Sequence, residues 1–173
     1  MRKVFSVVLL ICMVALLFPL PTPAHATTPT YVEGYFDYIV TSMDTRPADG
    51  NTFIYATEYE VWRGDFCGTA NAVFMVIVFS SGFWYVWLRS YFSGTVDGKC
   101  GTMVIQLVDK GTYLDEDKEE FFWYGRWVII NGTGELTNIH GRGIWWGPGW
   151  EGPGAEIPGT RTDIFYEGEI HFD

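Results

Sequence analysis

Two glutamates, Glu58 and Glu60, are the most prominent pair of reactive side chains in the sequence. They lie two residues apart in a segment with strand-like composition, so they share one face of the predicted strand with Trp62. If that face points inward, two neighbouring carboxyl groups suit general acid–base chemistry. If it points outward, the pair is part of an acidic stripe in solvent. Of these two arrangements, we expect the outward stripe.

Other candidates for catalysis or metal binding are few. Asp115, Asp117 and Glu119 alternate as in a cation-binding loop, but the glycine and the distal glutamate of a calcium hand are missing, so we expect a solvated acidic loop. His140 and His171 lack an evident third group, so we expect exposed histidines on strands. The sequence contains no Ser-His-Asp order, phosphate loop or dinucleotide fingerprint. It therefore predicts no catalytic residue, no metal and no cofactor.

Eight segments have the composition or alternation of β-strands, and no segment after residue 26 has a helical stripe. Their hairpin-length connections predict an all-β fold, an eight-stranded antiparallel up-and-down β-barrel, with a β-sandwich as the alternative. Glycines within strands favour the barrel, which needs them for coiling. The segments are 33–41, 52–63, 69–80, 83–96, 101–109, 120–131, the glycine-bearing segment that ends at Trp146, and 160–173.

Period-two alternation also predicts which side chains fill the interior. The predicted inward residues are Phe36, Tyr38, Met103, Ile105, Trp123, Trp127, Ile129, Trp145, Tyr166, Ile170 and Phe172. An apolar interior suits a small hydrophobic ligand, and we expect one to contact Phe36, Tyr38, Trp123, Trp127, Trp145, Tyr166 and Phe172. The alternative is a packed structural or interaction barrel without a ligand, because eight strands enclose little more than their own side chains.

The first 26 residues have the pattern of a signal peptide. Arg2 and Lys3 precede an apolar run, and 24–26 (AHA) supplies a small-x-small cleavage site. The run, 4–18, is shorter than the roughly 20 residues of a membrane-spanning helix. We expect a secreted or extracytoplasmic protein with one barrel domain over 27–173, and an uncleaved anchor is the alternative.

The net charge limits which partners the chain can bind, and the cysteine content predicts a disulfide. Removing residues 1–26 takes two of the 11 Lys and Arg residues and none of the 21 Asp and Glu residues, so the net charge becomes 9 − 21 = −12. Such a charge argues against nucleic acid and anionic membranes as partners. Cys67 and Cys100 remain, and an even number of cysteines in an exported chain predicts one disulfide between them.

Three stretches carry a resemblance to a known group of barrels: 92–107 (FSGTVDGKCGTMVIQL), 125–149 (GRWVIINGTGELTNIHGRGIWWGPG) and 163–173 (DIFYEGEIHFD). They resemble an uncharacterised secreted family of the allene oxide cyclase barrel-like superfamily, and the glycine-rich stretch is similar to plant allene oxide cyclases and dirigent proteins. The resemblance implies an eight-stranded barrel with an apolar interior, often trimeric. By this analogy alone, an isomerase or cyclase acting on a hydrophobic substrate is an alternative function. No catalytic residue is carried over.

Two neighbouring strands are apolar on both faces, which predicts an interface. With the opposite faces placed inward, six apolar side chains on these strands point outward: Phe74, Val76, Val78, Trp84, Val86 and Leu88. Soluble monomers rarely expose such a contiguous patch. We therefore expect a homo-oligomer, for example a trimer, joined through residues 72–88.

Overall fold

The computed structural model describes residues 28–111, 122–148 and 161–173. Each strand there pairs antiparallel with the next along the chain, and the last pairs with the first, so eight up-and-down strands form a closed ring. This confirms the predicted all-β architecture and its eight strands. Across these three ranges, no helix is long and apolar enough to cross a membrane. The strands are β1 (Thr30–Ala48), β2 (Asn51–Gly64), β3 (Phe66–Val78), β4 (Trp84–Val96), β5 (Lys99–Gly111), β6 (Phe122–Gly134), β7 (Ile139–Pro148) and β8 (Arg161–Phe172).

The first hairpin is longer than its sequence suggests. Residues 42–48, predicted to be part of a loop, continue β1 and pair with β2 up to the turn at Asp49 and Gly50. Both turn residues have positive φ, 51° and 77°, as a tight two-residue hairpin turn requires. Pro47 is tolerated because it lies next to the turn, where strand pairing is about to end.

The interior of the ring holds one continuous apolar core. Side chains alternate between buried and exposed along most of the strands, as expected from a period of two, and the exceptions are the exposed ends 42–48 of β1 and 131–134 of β6. Every predicted inward residue is buried except Phe172, which is partly buried against the core. The prediction of the inner face is therefore confirmed on β1, β5, β6, β7 and most of β8.

The predicted orientation of β3 and β4 is wrong. Phe74, Trp84 and their apolar neighbours on the same face lie in the core, and only Val78 among the six is partly exposed. Both faces of these strands are apolar, so the alternation of side chains did not distinguish the inner face from the outer face. The deciding residues are Asn71 and Arg89, which share the opposite face and bring it to the surface.

The predicted disulfide is absent, because Cys67 and Cys100 are both free and exposed. Cys67 pairs with Thr95 from β3, and Cys100 pairs with the same Thr95 from β5. Two strand spacings of roughly 4.8 Å therefore separate the cysteines by about 10 Å between Cα atoms, beyond the roughly 7 Å limit for a disulfide. The even number of cysteines in the sequence does not indicate how far apart the two residues lie in the fold.

Candidate functional site

Glu58 and Glu60 lie inside the ring, which overturns the expected acidic stripe. Their exposed fractions are 5% and 0%. They share their face of β2 with Trp62, which is 2% exposed, so burying that indole carries both carboxyl groups into the core. The sequence did show this link, since a tryptophan on the same face favours an inward orientation.

The carboxyl group of Glu60 is held by three hydrogen bonds. Trp62 donates its indole N–H to Oε2 over 2.7 Å, and the Ser90 hydroxyl donates to Oε1 over 2.8 Å. The carboxyl group of Glu58 is the third partner. Ser90 reaches Glu60 from the far side of β3, because β2 and β4 flank β3 in the ring. Buried carboxyl groups need such partners, and Glu60 has them from two strands.

Burial sets the protonation of this pair. The pKa of Glu58 is raised well above its usual range, first by burial and then by the negative charge and the hydrogen bond of Glu60. Burial also raises the pKa of Glu60, but the hydrogen bonds from Glu58, Trp62 and Ser90 act in the opposite direction. Glu58 is therefore the member of the pair that keeps its proton to the higher pH, and it directs that proton at Glu60.

Glu58 borders a cavity of about 30 Å³ in the interior. A carboxyl group with its proton directed at Glu60 keeps one oxygen as a hydrogen-bond acceptor. Four of the predicted ligand contacts line this cavity, and three of them, Trp127, Tyr166 and Phe172, do not. The lining residues are Phe36, Tyr38, Glu58, Phe74, Val76, Val86, Leu88, Trp123, Trp145 and Ile164.

The opposite end of the interior is filled by rings, and we call it the aromatic end: Trp62, Phe66, Phe92, Trp127 and Tyr166, with Phe36 at the border between this end and the cavity. Phe36 stacks on Trp62 with ring centroids 4.4 Å apart, and Phe66 stacks on Tyr166 at 4.8 Å. The Tyr166 hydroxyl accepts a hydrogen bond from the Phe66 N–H at 2.8 Å, and burial raises the pKa of that hydroxyl. Tyr166 is therefore committed to packing and internal hydrogen bonding.

Trp127 occupies space that two glycines leave free. Its indole N–H donates to the carbonyl groups of Ile144 and Glu167, each at 3.1 Å. A Cβ on Gly143 or Gly168 would lie 2.5 to 2.6 Å from the Trp127 ring, so only glycine fits beside it. Trp127 thus fastens β6 to β7 and β8 and is a structural residue.

Two further polar sites lie outside the cavity: a buried aspartate and a stacked pair of histidines. Asp109 is 4% exposed, and burial raises its pKa to about 6. On the outside, the rings of His140 and His171 stack at 5.2 Å, and the Asp173 carboxylate lies 3.0 Å from Nε2 of His140 and 3.8 Å from Nε2 of His171. Asp173 is the third group that sequence reasoning missed.

The described residues contain no group of three or more His, Cys, Asp or Glu side chains arranged to hold a metal ion. The histidine cluster is therefore an exposed polar contact near the end of β8. The acidic segment with Asp115, Asp117 and Glu119 lies outside the described residues.

Comparisons with known proteins place the chain among proteins of unknown function. A family model described as "Protein of unknown function (DUF3224)" matches residues 32–145. The crystal structure of a DUF3224-family protein with unknown function from Shewanella oneidensis MR-1 has a TM-score of 0.60 and 17% sequence identity, over 84% of this chain and 98% of that chain. This likeness supports the fold alone.

A protein with unknown function from Clostridium acetobutylicum ATCC 824 has a TM-score of 0.46 and 12% identity, over 85% of this chain and 100% of that chain. The search among curated proteins found no match. The matched family and structures provide no support for the resemblance to allene oxide cyclases.

Proposed function

The chain belongs to the DUF3224 family, and since that family has no described activity, we propose a function from the chain's own interior. The protein binds a small hydrophobic molecule that carries one hydroxyl group. The hydroxyl donates a hydrogen bond to the free oxygen of Glu58, and the apolar body lies against the aromatic walls of the cavity. The observation that carries this proposal is a buried carboxyl group, whose pKa burial raises, at the border of an otherwise apolar cavity.

The chemistry of the cavity limits the ligand. Apart from Glu58 and the hydroxyl of Tyr38, the lining side chains are hydrocarbon and indole groups, which favour an apolar molecule. Because burial favours the neutral form of Glu58, the cavity does not favour a cationic ligand. The volume of about 30 Å³ exceeds the roughly 10–15 Å³ that one water needs, so it receives the hydroxyl group and the carbon that bears it. A larger body requires Trp123 and Trp145 to move.

Phenol and toluene form a matched pair of probes, because they differ by a hydroxyl in place of a methyl group. Binding is followed through tryptophan fluorescence. We expect the wild-type protein to bind phenol about 10-fold more tightly than toluene, the worth of one net hydrogen bond. Glu58→Leu should abolish this preference, and the surface variant Glu169→Gln should retain it. Equal affinity of wild type for both probes, or no binding of either, contradicts the proposal.

The shared proton favours a second candidate, an isomerase acting on a bound apolar substrate. Glu58 lines the cavity and can accept a proton from a substrate carbon on its free oxygen while its own proton passes to Glu60, and the reverse transfer returns a proton to another carbon. Proton exchange at the carbon next to the carbonyl group of cyclohexanone, followed by NMR in D₂O, tests this chemistry. Glu58→Gln keeps a hydrogen-bonding side chain but has no transferable proton, so it should abolish exchange and leave a stable fold. Exchange no faster than in buffer argues against the enzyme.

Export is a further part of the proposal. The positively charged start, the apolar run and the small-x-small site support cleavage after residue 26. Mass spectrometry of the protein produced in its own host tests this, because the expected mature chain begins at Thr27. A mature chain that still contains residues 1–26 supports the anchor instead.

A further inference from the structure

The outer surface of β2 to β5 is apolar and aromatic, and we call it the β2–β5 face. Its main exposed and partly exposed side chains are Tyr55, Tyr59, Val73, Met75, Tyr85 and Tyr91. The register makes them contiguous, since Met75 lies between Tyr55 and Trp87, and Asn71 lies between Tyr59 and Tyr91. The interface predicted through residues 72–88 thus has an apolar surface after all, built from the side chains opposite those expected.

The described carboxylates on the outer side of the strands lie on β1 and β8, so the β2–β5 face, like the outer side of β6 and β7, carries none. The outward positions of β2 to β5 carry Arg63, Arg89 and Lys110 and no carboxylate, although the chain has 21 Asp and Glu residues and a net charge of −10. The acidic residues within these strands, Glu58, Glu60 and Asp109, point inward. Two copies of so acidic a chain repel each other through most surfaces, and this face avoids carboxylate–carboxylate repulsion.

Arg89 provides a specific contact near the centre of the face. Its guanidinium group lies 4.8 Å from the ring centroid of Trp87, and it donates to Oε1 of Gln106 at 3.5 Å. The buried Nε of Arg89 has no partner among the described residues. A planar cation stacked on one side by an indole leaves its second side for another aromatic ring, which a tyrosine of a second copy supplies.

The size and the shape of the surface agree with self-association. Every strand has a neighbour on both sides in the closed ring, so a partner packs on a face of the ring rather than adding a strand to it. From the exposed fractions of its side chains, the face offers on the order of 600 Å², so two copies would bury about 1,200 Å² in total, the lower end for specific interfaces. We propose that the β2–β5 face pairs with the same face of a second copy of this chain.

Sedimentation velocity over a concentration series tests the pairing in the full chain of 19.7 kDa. Wild type should sediment as a reversible dimer that dissociates on dilution. Met75→Glu places a carboxylate at the centre of the face and should raise the dissociation constant at least about 100-fold, since two buried carboxylates would face each other. The matched control is Phe165→Glu on β8, across the ring from β4, which should dimerise as wild type does.

Circular dichroism confirms that both variants fold, and Tyr55→Asp replaces Met75→Glu if the latter does not. A wild type that is monomeric up to sub-millimolar concentration overturns the proposal. So does a dimer that Met75→Glu and Tyr55→Asp leave intact, because the interface then lies elsewhere. Mixing wild type with Met75→Glu separates two modes of contact. Mixed dimers as tight as those of wild type would show that the face binds a different surface, whereas face-to-face pairing gives mixed dimers weaker than wild type and tighter than the variant, because only one carboxylate is then buried.

Discussion

The two ends of the interior are packed differently: one is filled by aromatic rings, and the other contains a cavity. At the aromatic end, rings meet rings at centroid distances of 4.4 to 6.3 Å, and glycines give the indole of Trp127 its space. At the other end, which we call the cavity end, Trp123 and Trp145 stand 6.4 Å apart beside a cavity that reaches Glu58. Glu60 lies between the two ends and is hydrogen-bonded to Trp62 of the aromatic end.

This difference suggests separate roles: the aromatic end stabilises the fold, and the cavity end serves binding. Dense packing of large rings contributes most of the burial energy available to a domain of this size. A buried carboxyl group beside a cavity has the opposite effect, because burying an ionisable group costs free energy unless hydrogen bonds replace its lost hydration. We therefore expect substitutions at the aromatic end to act on folding, and substitutions at the cavity end to act on binding and on pH dependence.

Trp62→Ala should have the largest effect on stability. It removes a ring that contacts Phe36, Phe66, Phe92 and Tyr166, and it takes one hydrogen-bond donor from Glu60. We expect a loss of about 5 kcal/mol in the free energy of unfolding, against about 3 kcal/mol for Trp123→Ala, which borders an existing cavity. Urea denaturation measures both. Equal losses in the free energy of unfolding for the two variants would contradict the proposed difference between the two ends.

Gly143→Ala tests the space beside Trp127. A Cβ there would collide with the carbonyl oxygen of Glu167 and with the Trp127 ring, so we expect destabilisation by about 3 kcal/mol. Gly82→Ala is the control, because nothing lies within 4 Å of its Cβ and only its φ of +79° opposes the change. That strain costs about 1 kcal/mol. Similar thermal unfolding midpoints for the two variants would show that the residues around Gly143 shift to make room for a Cβ.

Glu58→Gln tests the buried proton at the cavity end. Because the pKa of Glu58 is raised in the folded state, its contribution to stability is complete below the unfolded pKa of about 4.3 and is lost as the pH rises through the raised value. The free energy of unfolding of wild type should therefore fall as the pH rises above about 4.3, and Glu58→Gln should reduce that fall. Asp109, whose pKa is about 6, adds a fall of the same sign to both proteins.

Denaturation series at several pH values supply the measurement for this variant. Glu169→Gln on the exposed surface is the control and should keep the wild-type slope. A wild-type protein whose stability rises over the same pH range would show that Glu58 is ionised in the folded state.

Cys67→Ser should have the smallest effect. Both cysteines are exposed on the outer surface near the aromatic end, and neither is bonded to the other. That end is therefore stabilised by packing rather than by a covalent tie, and we expect a change below about 0.5 kcal/mol. Thiol titration of the unfolded, unreduced protein should find two thiols from these cysteines. Finding none would contradict the strand order, because β4 separates the two cysteines and a disulfide between them would require β3 and β5 to lie closer together.

The sequence was most informative where one face of a strand is clearly more polar than the other. On β8, Glu167, Glu169 and His171 mark the outer face, and the predicted inward set is the observed one. On β3 and β4 both faces are apolar, and the weaker signals of Asn71 and Arg89 were needed to orient them. Pairing partners and the closure of the ring depend on contacts between distant segments, which local alternation does not specify.

The candidate site was recognised as a pair but placed on the wrong side of the strand. Charged residues are usually exposed, and this general rule outweighed the tryptophan two residues after Glu60. The missing information was Ser90, whose hydroxyl comes from another strand to satisfy Glu60. Such compensation between strands appears only after folding, so a single sequence does not show whether a buried carboxyl group has partners.

The pairing of β8 with β1 has a consequence for how the chain folds. Thr30 pairs with Ile170, so the last seam of the ring joins residues from the two ends of the described chain. Hairpins such as β4–β5 close over a few residues and form early, whereas this seam carries the full entropy cost of a long loop. We expect slow folding limited by this seam, through an intermediate in which β1 and β8 still have unpaired edges that invite aggregation. Once the seam forms, each strand has two neighbours, and the fold opens as one cooperative unit.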